Sequence, residues 1–309
     1  MKKIIFIIAI AYCAVSCSGS KDVYLFTSFR EPATDGLRLA YSEDGYQWKD
    51  LKNIFLKPEI GFSETKIMRD PSIVRGKDGI YHLVWTTDWK GGNGFGYASS
   101  KDLIHWSKQE YIPVMKKESE VVNVWAPEIF YDDEQDRYII IWASTIPFRY
   151  EKGQEEEKNN HRMYYVTTKD FKTFSETKLF YEPGFSVIDC VIVKRAKDDY
   201  VLVLKDNTRP NRNIKVAFGK SPLGPFDKSS EPFTDFLSEG PAVLKKNNNW
   251  LIYYDNYGAK NYKAAKTSDF IYFEDISSQI KLPEGHKHGT ISKVSKKVLK
   301  GLIEKEKQE

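Results

Sequence analysis

The stretch "SKDLIHWS" (residues 100–107) ends an alternating run with an Asp and, four positions on, a Trp. Nearly the same phrase returns as "TKDFKTFS" at 168–175. Further variants are "SEDGYQW" (42–48), "GKSPLGPF" (219–226) and "TSDFIYF" (267–273). Each follows an alternating segment ("LRLAYS", "FGYASS", "MYYVTT", "IKVAFG", "YKAAKT"), and one step earlier lies another ("VYLFTSF", "HLVWTT", "YIIIWAS", "YVLVLKD", "WLIYYDN"). These segments are rich in aromatic and β-branched residues and are bounded by turn formers, the signature of short strands. The closing aromatics recur 47 to 68 residues apart, at 48, 106, 174, 226 and 273. Five multistranded repeats of this length read as blades of a β-propeller, with the phrase leading into each outer strand.

First strands of blades are visible in four units: "RDPSIV" (69–74), "APEIFY" (126–131), "IDCVIV" (188–193) and "EGPAVL" (239–244). The unit beginning at Val23 lacks one, and "HGTISKV" (288–294) is a strand without a unit. The economical arrangement is an all-β, single five-bladed β-propeller over residues 23–300, closed by the C-terminal strand pairing into the N-terminal blade. Closure hides sheet edges. Residues 301–309 are set apart as a charged tail, and the charged stretch "KKVLKGLIEKEKQE" (296–309) that contains them reads as a frayed helix or strand end.

The N-terminus has a basic start, an apolar run from Ile4 to Val15, too short to span a bilayer, and "AVSC" ending at Cys17. Residues 1–17 are expected to be a lipoprotein signal with Cys17 lipidated and 18–22 a tether; a plain secretory signal is the alternative. Export follows either way, with the lipid as the only membrane contact. Of three cysteines, only Cys190 lies inside the folded region, so a disulfide framework is not expected. Net charge is +4 from 47 basic and 43 acidic residues, mixed along the chain, which gives no nucleic-acid footprint.

Inner strands of a propeller line its axis, so residues at their entrances converge. Those positions hold Asp70, Glu128, Asp189, Glu239 and His288. A lone "DP" or "EGP" is ordinary turn chemistry; recurrence in four consecutive blades argues for a functional pocket. The ordered set "RDPSI", "WAPEI", "VIDCVI", "SEGPAVL", "HGT" resembles glycoside hydrolase family 43, the five-bladed propeller glycosidases. The resemblance covers essentially the whole of residues 23–300. It implies Asp70 as general base, Glu239 as general acid, and Asp189 as the residue that orients the acid and tunes its pKa. It implies His288 on the last inner strand, beside an axial water or calcium ion; no cofactor is otherwise required. The implied activity is inverting, exo-acting removal of terminal pentosyl residues from polysaccharide or oligosaccharide side chains, with α-L-arabinofuranosidase first and β-xylosidase second. An inverting site needs an acid and a base about 6.5–9.5 Å apart, with room for water. A carboxylate beside the acid raises its pKa. A retaining fructan-type hydrolase and a non-catalytic sugar-binding propeller are the other readings. "FREPATDG" and "SEGP" do not supply the motifs of the first, and the second has no need of all three carboxylates.

Four residues are assigned to substrate binding. Trp125 either stacks on a sugar or fills the core. Glu128 holds sugar hydroxyls or neighbouring backbone. Arg209, in "KDNTRP", holds a sugar or a carboxylate, or is a solvated loop residue. His288 is the fourth. Trp85 and Trp142 read as packing, and "EKGQEEEKNNHR" (151–162) as a mobile insertion near the rim. Two departures from the family pattern stand out: Cys190 where proline is frequent, and no arginine after Arg212.

Overall fold

A computed structural model describes residues 23–308. The signal segment, Cys17 and the tether at 18–22 lie outside the described residues. The first blade contains β1 (Val23–Ser28), β2 (Leu37–Ser42) and β3 (Lys49–Leu56); the second β4 (Arg69–Arg75), β5 (Tyr81–Thr86), β6 (Phe95–Ser100) and β7 (Glu110–Ile112). The third has β8 (Trp125–Asp132), β9 (Arg137–Ser144), β10 (Arg162–Thr168) and β11 (Lys178–Tyr181); the fourth β12 (Val187–Ala196), β13 (Asp199–Asp206) and β14 (Asn213–Gly219). The fifth has β15 (Ser238–Lys246), β16 (Asn249–Asn256), β17 (Asn261–Thr267) and β18 (Glu274–Asp275). The last strand, β19 (Ile291–Val294), is antiparallel to β1, with registers from Val23↔Val294 to Phe26↔Ile291. It supplies the missing inner strand of the first blade and closes the ring, as the sequence required.

The repeated phrase is a turn with a shared wiring. Ser100 Oγ accepts the Leu103 N–H at 2.8 Å, while Asp102 Oδ1 accepts those of Ile104 and His105 at 2.9 and 2.8 Å. Ser42 with Asp44, Thr168 with Asp170, and Thr267 with Asp269 do the same. The residue after each Asp adopts a left-handed backbone: φ 75° at Gly45, 66° at Leu103, 56° at Phe171 and 63° at Phe270. Side-chain oxygens here replace ladder partners that the reversing chain has lost. The fourth blade departs from the expectation. "GKSPLGPF" has no Asp, and beyond the turn only one bridge forms, Gly219↔Phe226, so this sheet has three strands.

Apolar faces of neighbouring sheets pack against each other between the blades. Ile139 and Ile141 of one blade, for example, share a cluster with Leu202 and Leu204 of the next. Trp85 and Trp142 are fully buried, as their strand positions predicted. The tail is more ordered than expected. Helix α1 (Lys296–Glu306), capped by Ser295 Oγ, crosses the boundary drawn at residue 300. It buries Leu299 and Leu302 against Val23, Leu25 and Val294, and Glu306 accepts the Lys52 N–H at 2.7 Å. Apolar residues at 299 and 302 form one helical face that the neighbouring charges obscured.

Candidate active site

Four inner strands share one irregularity near their first residues. Pairing jumps from Arg69↔Thr86 to Ser72↔Val84, from Trp125↔Ala143 to Glu128↔Ile141, from Ile188↔Lys205 to Val191↔Val203, and from Glu239↔Asp255 to Ala242↔Tyr253. Each jump is a bulge carrying one extra residue. Its first residue has positive φ: 50° at Asp70, 46° at Ala126, 52° at Asp189 and 58° at Gly240. Three of the four are not glycine, and such backbone costs about 1–3 kcal/mol each. At Gly240 the need is also steric, since a Cβ there would stand 2.7 Å from the Cβ of His288.

This register corrects the sequence alignment. Asp70 and Asp189 are equivalent, but the matching residues in the other blades are Ala126 and Gly240. Glu239 lies one residue before the bulge. Glu128 lies two residues after the equivalent position, level with Ser72, Val191 and Ala242. It lines a cavity at the far end of the inner strands, with Ile73, Val191, Pro241 and Thr290. Its carboxylate is near Ser72 and accepts from Thr290 Oγ1 at 3.3 Å. Burial pushes it up to about 7, against the pull of Ser72, His288 and Thr290. Glu128 is therefore absent from the pocket that holds the other carboxylates.

That pocket, about 490 Å³, lies on the axis and is lined from all five blades, with Asp70, Asp189, Glu239 and His288 at its floor. Asp70 accepts from Thr86 Oγ1 at 3.0 Å, and the same hydroxyl accepts the Ala126 N–H at 2.8 Å. His288 Nδ1 stands 3.3 Å from Asp70 Oδ1 and 3.9 Å from Asp189 Oδ1. Burial opposes charge on His288, yet Asp189, Asp70 and Glu128 carry it up to about 9. Burial likewise opposes charge on Asp70, but the His288 contact, with Arg69 and Thr86, holds its carboxyl below the ordinary range. The imidazolium places its own positive charge among these carboxylates, where the resemblance allowed a calcium ion. Among the described residues, no group of three or more His, Cys, Asp or Glu side chains is arranged to hold a metal ion.

Glu239 has a partner that sequence reading missed. Lys205, on the middle strand β13 and nearly fully buried, donates to Glu239 Oε2 at 2.8 Å. Burial works to raise Glu239, but the Lys205 charge and hydrogen bond outweigh it and hold the carboxyl below its usual value. Asp189 is pushed up, by burial first and then by Glu239 and Asp70, against His288 and Lys205. The expected upward push on the acid is thus outweighed in this structure, and it is Asp189 whose carboxyl is moved up. Asp189 Oδ2 also accepts the Gly240 N–H at 3.1 Å, which fixes the backbone beside Glu239. The only sequence signal for Lys205 was a charge ending the apolar run "YVLVLK".

One wall is a stack. The Arg69 guanidinium lies over Phe29 and Trp89, 4.6 and 4.8 Å from their ring centroids. Trp89 stacks on Trp125 at 4.7 Å, and Trp125 on His161 at 4.9 Å. Trp125 lines the pocket, but two aromatic neighbours occupy it as stacking partners, and its Nε1 donates to the Trp89 carbonyl. Trp89, half exposed, was not singled out by the sequence. The lining also includes Arg209, Arg212, Tyr257 and Lys287, the last paired with buried Asp255 at 2.7 Å. The 151–162 insertion is anchored by buried charges. Arg162 is held by Glu182 and Asn160, and Glu155 takes the Arg209 N–H and the Arg212 guanidinium.

Residues 20–299 match the profile of a family described as a probable glycosyl hydrolase domain, related to glycoside hydrolase family 43. An α-L-arabinofuranosidase of Bifidobacterium longum subsp. longum is 23% identical over an alignment of 155 positions, covering 43% of this chain. The chain spans only 14% of that relative's length. Among solved structures, an endo-arabinase from Bacteroides thetaiotaomicron VPI-5482 superposes with a TM-score of 0.61 at 15% identity, over 83% of this chain and 92% of that one. An α-L-arabinofuranosidase from Lactobacillus brevis does so with 0.53 at 20% identity, over 68% and 72%. At these identities the structures establish a shared fold.

Proposed function

The chain belongs to the family of probable glycosyl hydrolase domains related to family 43, and on that premise we propose that it removes terminal pentosyl residues with inversion, α-L-arabinofuranosyl before β-xylosyl. The observation that carries this reading is the meeting of Asp70, Asp189 and Glu239 in one axial pocket. Asp70, kept ionised by His288, takes a proton from the water that attacks the anomeric carbon. Glu239 gives a proton to the departing oxygen. Lys205 favours the ionised form of Glu239, so the acid must gain its proton as substrate binds. A glycosidic oxygen seated beside Glu239 would lengthen the Lys205 pair, and loss of that compensation lets burial favour the protonated acid. Asp189 positions Glu239 through the Gly240 N–H and, with its raised affinity for protons, lies ready to share one.

Hydrolysis of 4-nitrophenyl α-L-arabinofuranoside, β-D-xyloside and β-D-galactoside, with NMR of the first-formed sugar, tests this proposal. Turnover of a pentoside with initial inversion is expected; initial retention, or no turnover of either pentoside, overturns it. Glu239→Ala should spare much of the bond-breaking rate on a dinitrophenyl glycoside while crippling a natural oligosaccharide, because dinitrophenolate departs without a proton. We further propose export with anchoring through Cys17. Palmitate labelling that Cys17→Ser fails to abolish would refute the anchor.

A further inference from the structure

Arg209 stands at the mouth of the pocket with half of its side chain exposed. Its surroundings hold the residue in place and balance its charge at ion-pair distance, but leave its side-chain N–H donors unused. Glu155, buried behind it, accepts the Arg209 backbone N–H at 2.9 Å. The Glu155 carboxylate is engaged by a different guanidinium, that of Arg212, whose Nη2 lies 3.3 Å from both oxygens. The Arg209 guanidinium is 3.7 Å from Glu155 and 3.9 Å from Glu156, beyond hydrogen-bond reach of either. Glu156 is largely exposed, where an ion pair is screened and weak. Arg209 thus offers a fork of N–H donors, none of them used within the described residues, on a loop clamped by a buried acid. Lys287 adds a second cation to the lining, with its own acid, Asp255, buried.

A planar fork of charged donors matches a carboxylate with two parallel hydrogen bonds, a match that a neutral hydroxyl cannot reproduce. We infer that Arg209 reads a carboxylate on the glycan, so that the substrate class is a uronate-bearing oligosaccharide. This inference rests on the proposed glycosidase reading but adds a requirement that the neutral aryl glycosides above do not probe. A hydrolase indifferent to glycan charge would fail here alone.

The test is calorimetric titration of the full chain with tri-galacturonate and with a glucuronate-substituted xylo-oligosaccharide, each as free acid and as methyl ester. Esterification removes the charge and keeps the sugar. At least one acid should bind about ten- to a hundredfold more tightly than its ester, the range for a hydrogen bond to a charged group. That preference should weaken with added salt and collapse in Arg209→Gln. Arg209→Lys, which keeps charge but loses the fork, should restore only part of it. Equal affinity for acid and ester, no binding of either acid, or a preference that survives Arg209→Gln in a variant with an unchanged circular dichroism spectrum would each overturn the inference.

Discussion

The two ends of the blades repeat in opposite senses. At the far end, four turns repeat the same chemistry: a hydroxyl and an Asp receive the same three N–H groups in each. At the pocket end, four bulges repeat the same backbone but carry Asp70, Ala126, Asp189 and Gly240. A turn needs the same bonds wherever it occurs, so selection for folding keeps its residues alike. A shared pocket needs each blade to contribute something different. Repeated chemistry at a repeated position reports the fold, and varied chemistry at a repeated position reports the site.

The largest test of that contrast substitutes one Asp from each end. Asp70→Ala should lower kcat/KM by about 10²–10⁴-fold, the scale of a lost general base, on good and poor leaving groups alike. Asp102→Ala removes the one oxygen that accepts two N–H groups in a far-end turn. It should cost about 1 kcal/mol, comparable to losing a helix-cap oxygen, and leave turnover intact. Denaturant titrations beside rates on one aryl glycoside decide it. Loss of activity in Asp102→Ala without loss of stability would erase the distinction.

Next in size is an effect on pH dependence. Lys205 holds the Glu239 carboxyl down, and kcat/KM reports the free protein's titrating groups. Lys205→Met removes the charge and keeps much of the stem. The Glu239 carboxyl should then rise, because burial acts without its counterweight, and the alkaline limb of the kcat/KM profile should move to higher pH. An alkaline limb that stays in place, or moves down, would detach Glu239 from the acid role.

What the sequence made legible follows the same division. Ring closure by "HGTISKV" and the number of blades could be read because the far-end phrases are chemically alike and countable. Asp70, Asp189 and Glu239 could be found as carboxylates beside strand starts, although they do not share one register. Glu128 was placed with them because the inner strands were aligned on their acids. Aligning on Pro71, Pro127, Cys190 and Pro241 instead gives the observed bulges and sends Glu128 two residues deeper. Lys205 was hidden because a middle strand shows a pattern of burial and not the charge it meets on the neighbouring blade. Glu155 was hidden by its neighbours: in "QEEEK" one glutamate is buried and the next is exposed, a choice made by Arg209 and Arg212 from another blade.

The smallest expected effect tests the register itself. Glu128 lies beneath the pocket, two residues deeper along its strand than the bulge residue, so Glu128→Gln should leave kcat/KM nearly unchanged, in contrast to Asp70→Ala. Stability should respond in a defined pH window. Burial raises Glu128 to about 7 from an ordinary 4.5, so folding favours its protonated form. The stability linked to that proton is whole below the unfolded value and is lost as pH rises through about 7. Glutamine has the shape of the neutral acid and does not ionise. The variant should match the parent near pH 4.5 and become the more stable of the two by pH 8.5. Loss of the Glu128 charge also removes one support for the His288 imidazolium, which works in the opposite direction. That opposition keeps the gain small, because Asp189 and Asp70 remain as the larger supports. Melting curves across this range measure the difference. A variant less stable than the parent at pH 8.5 would mean that the ionised carboxylate is favoured in the fold. A loss of activity on the scale of Asp70→Ala would return Glu128 to the pocket and break the contrast between the two ends.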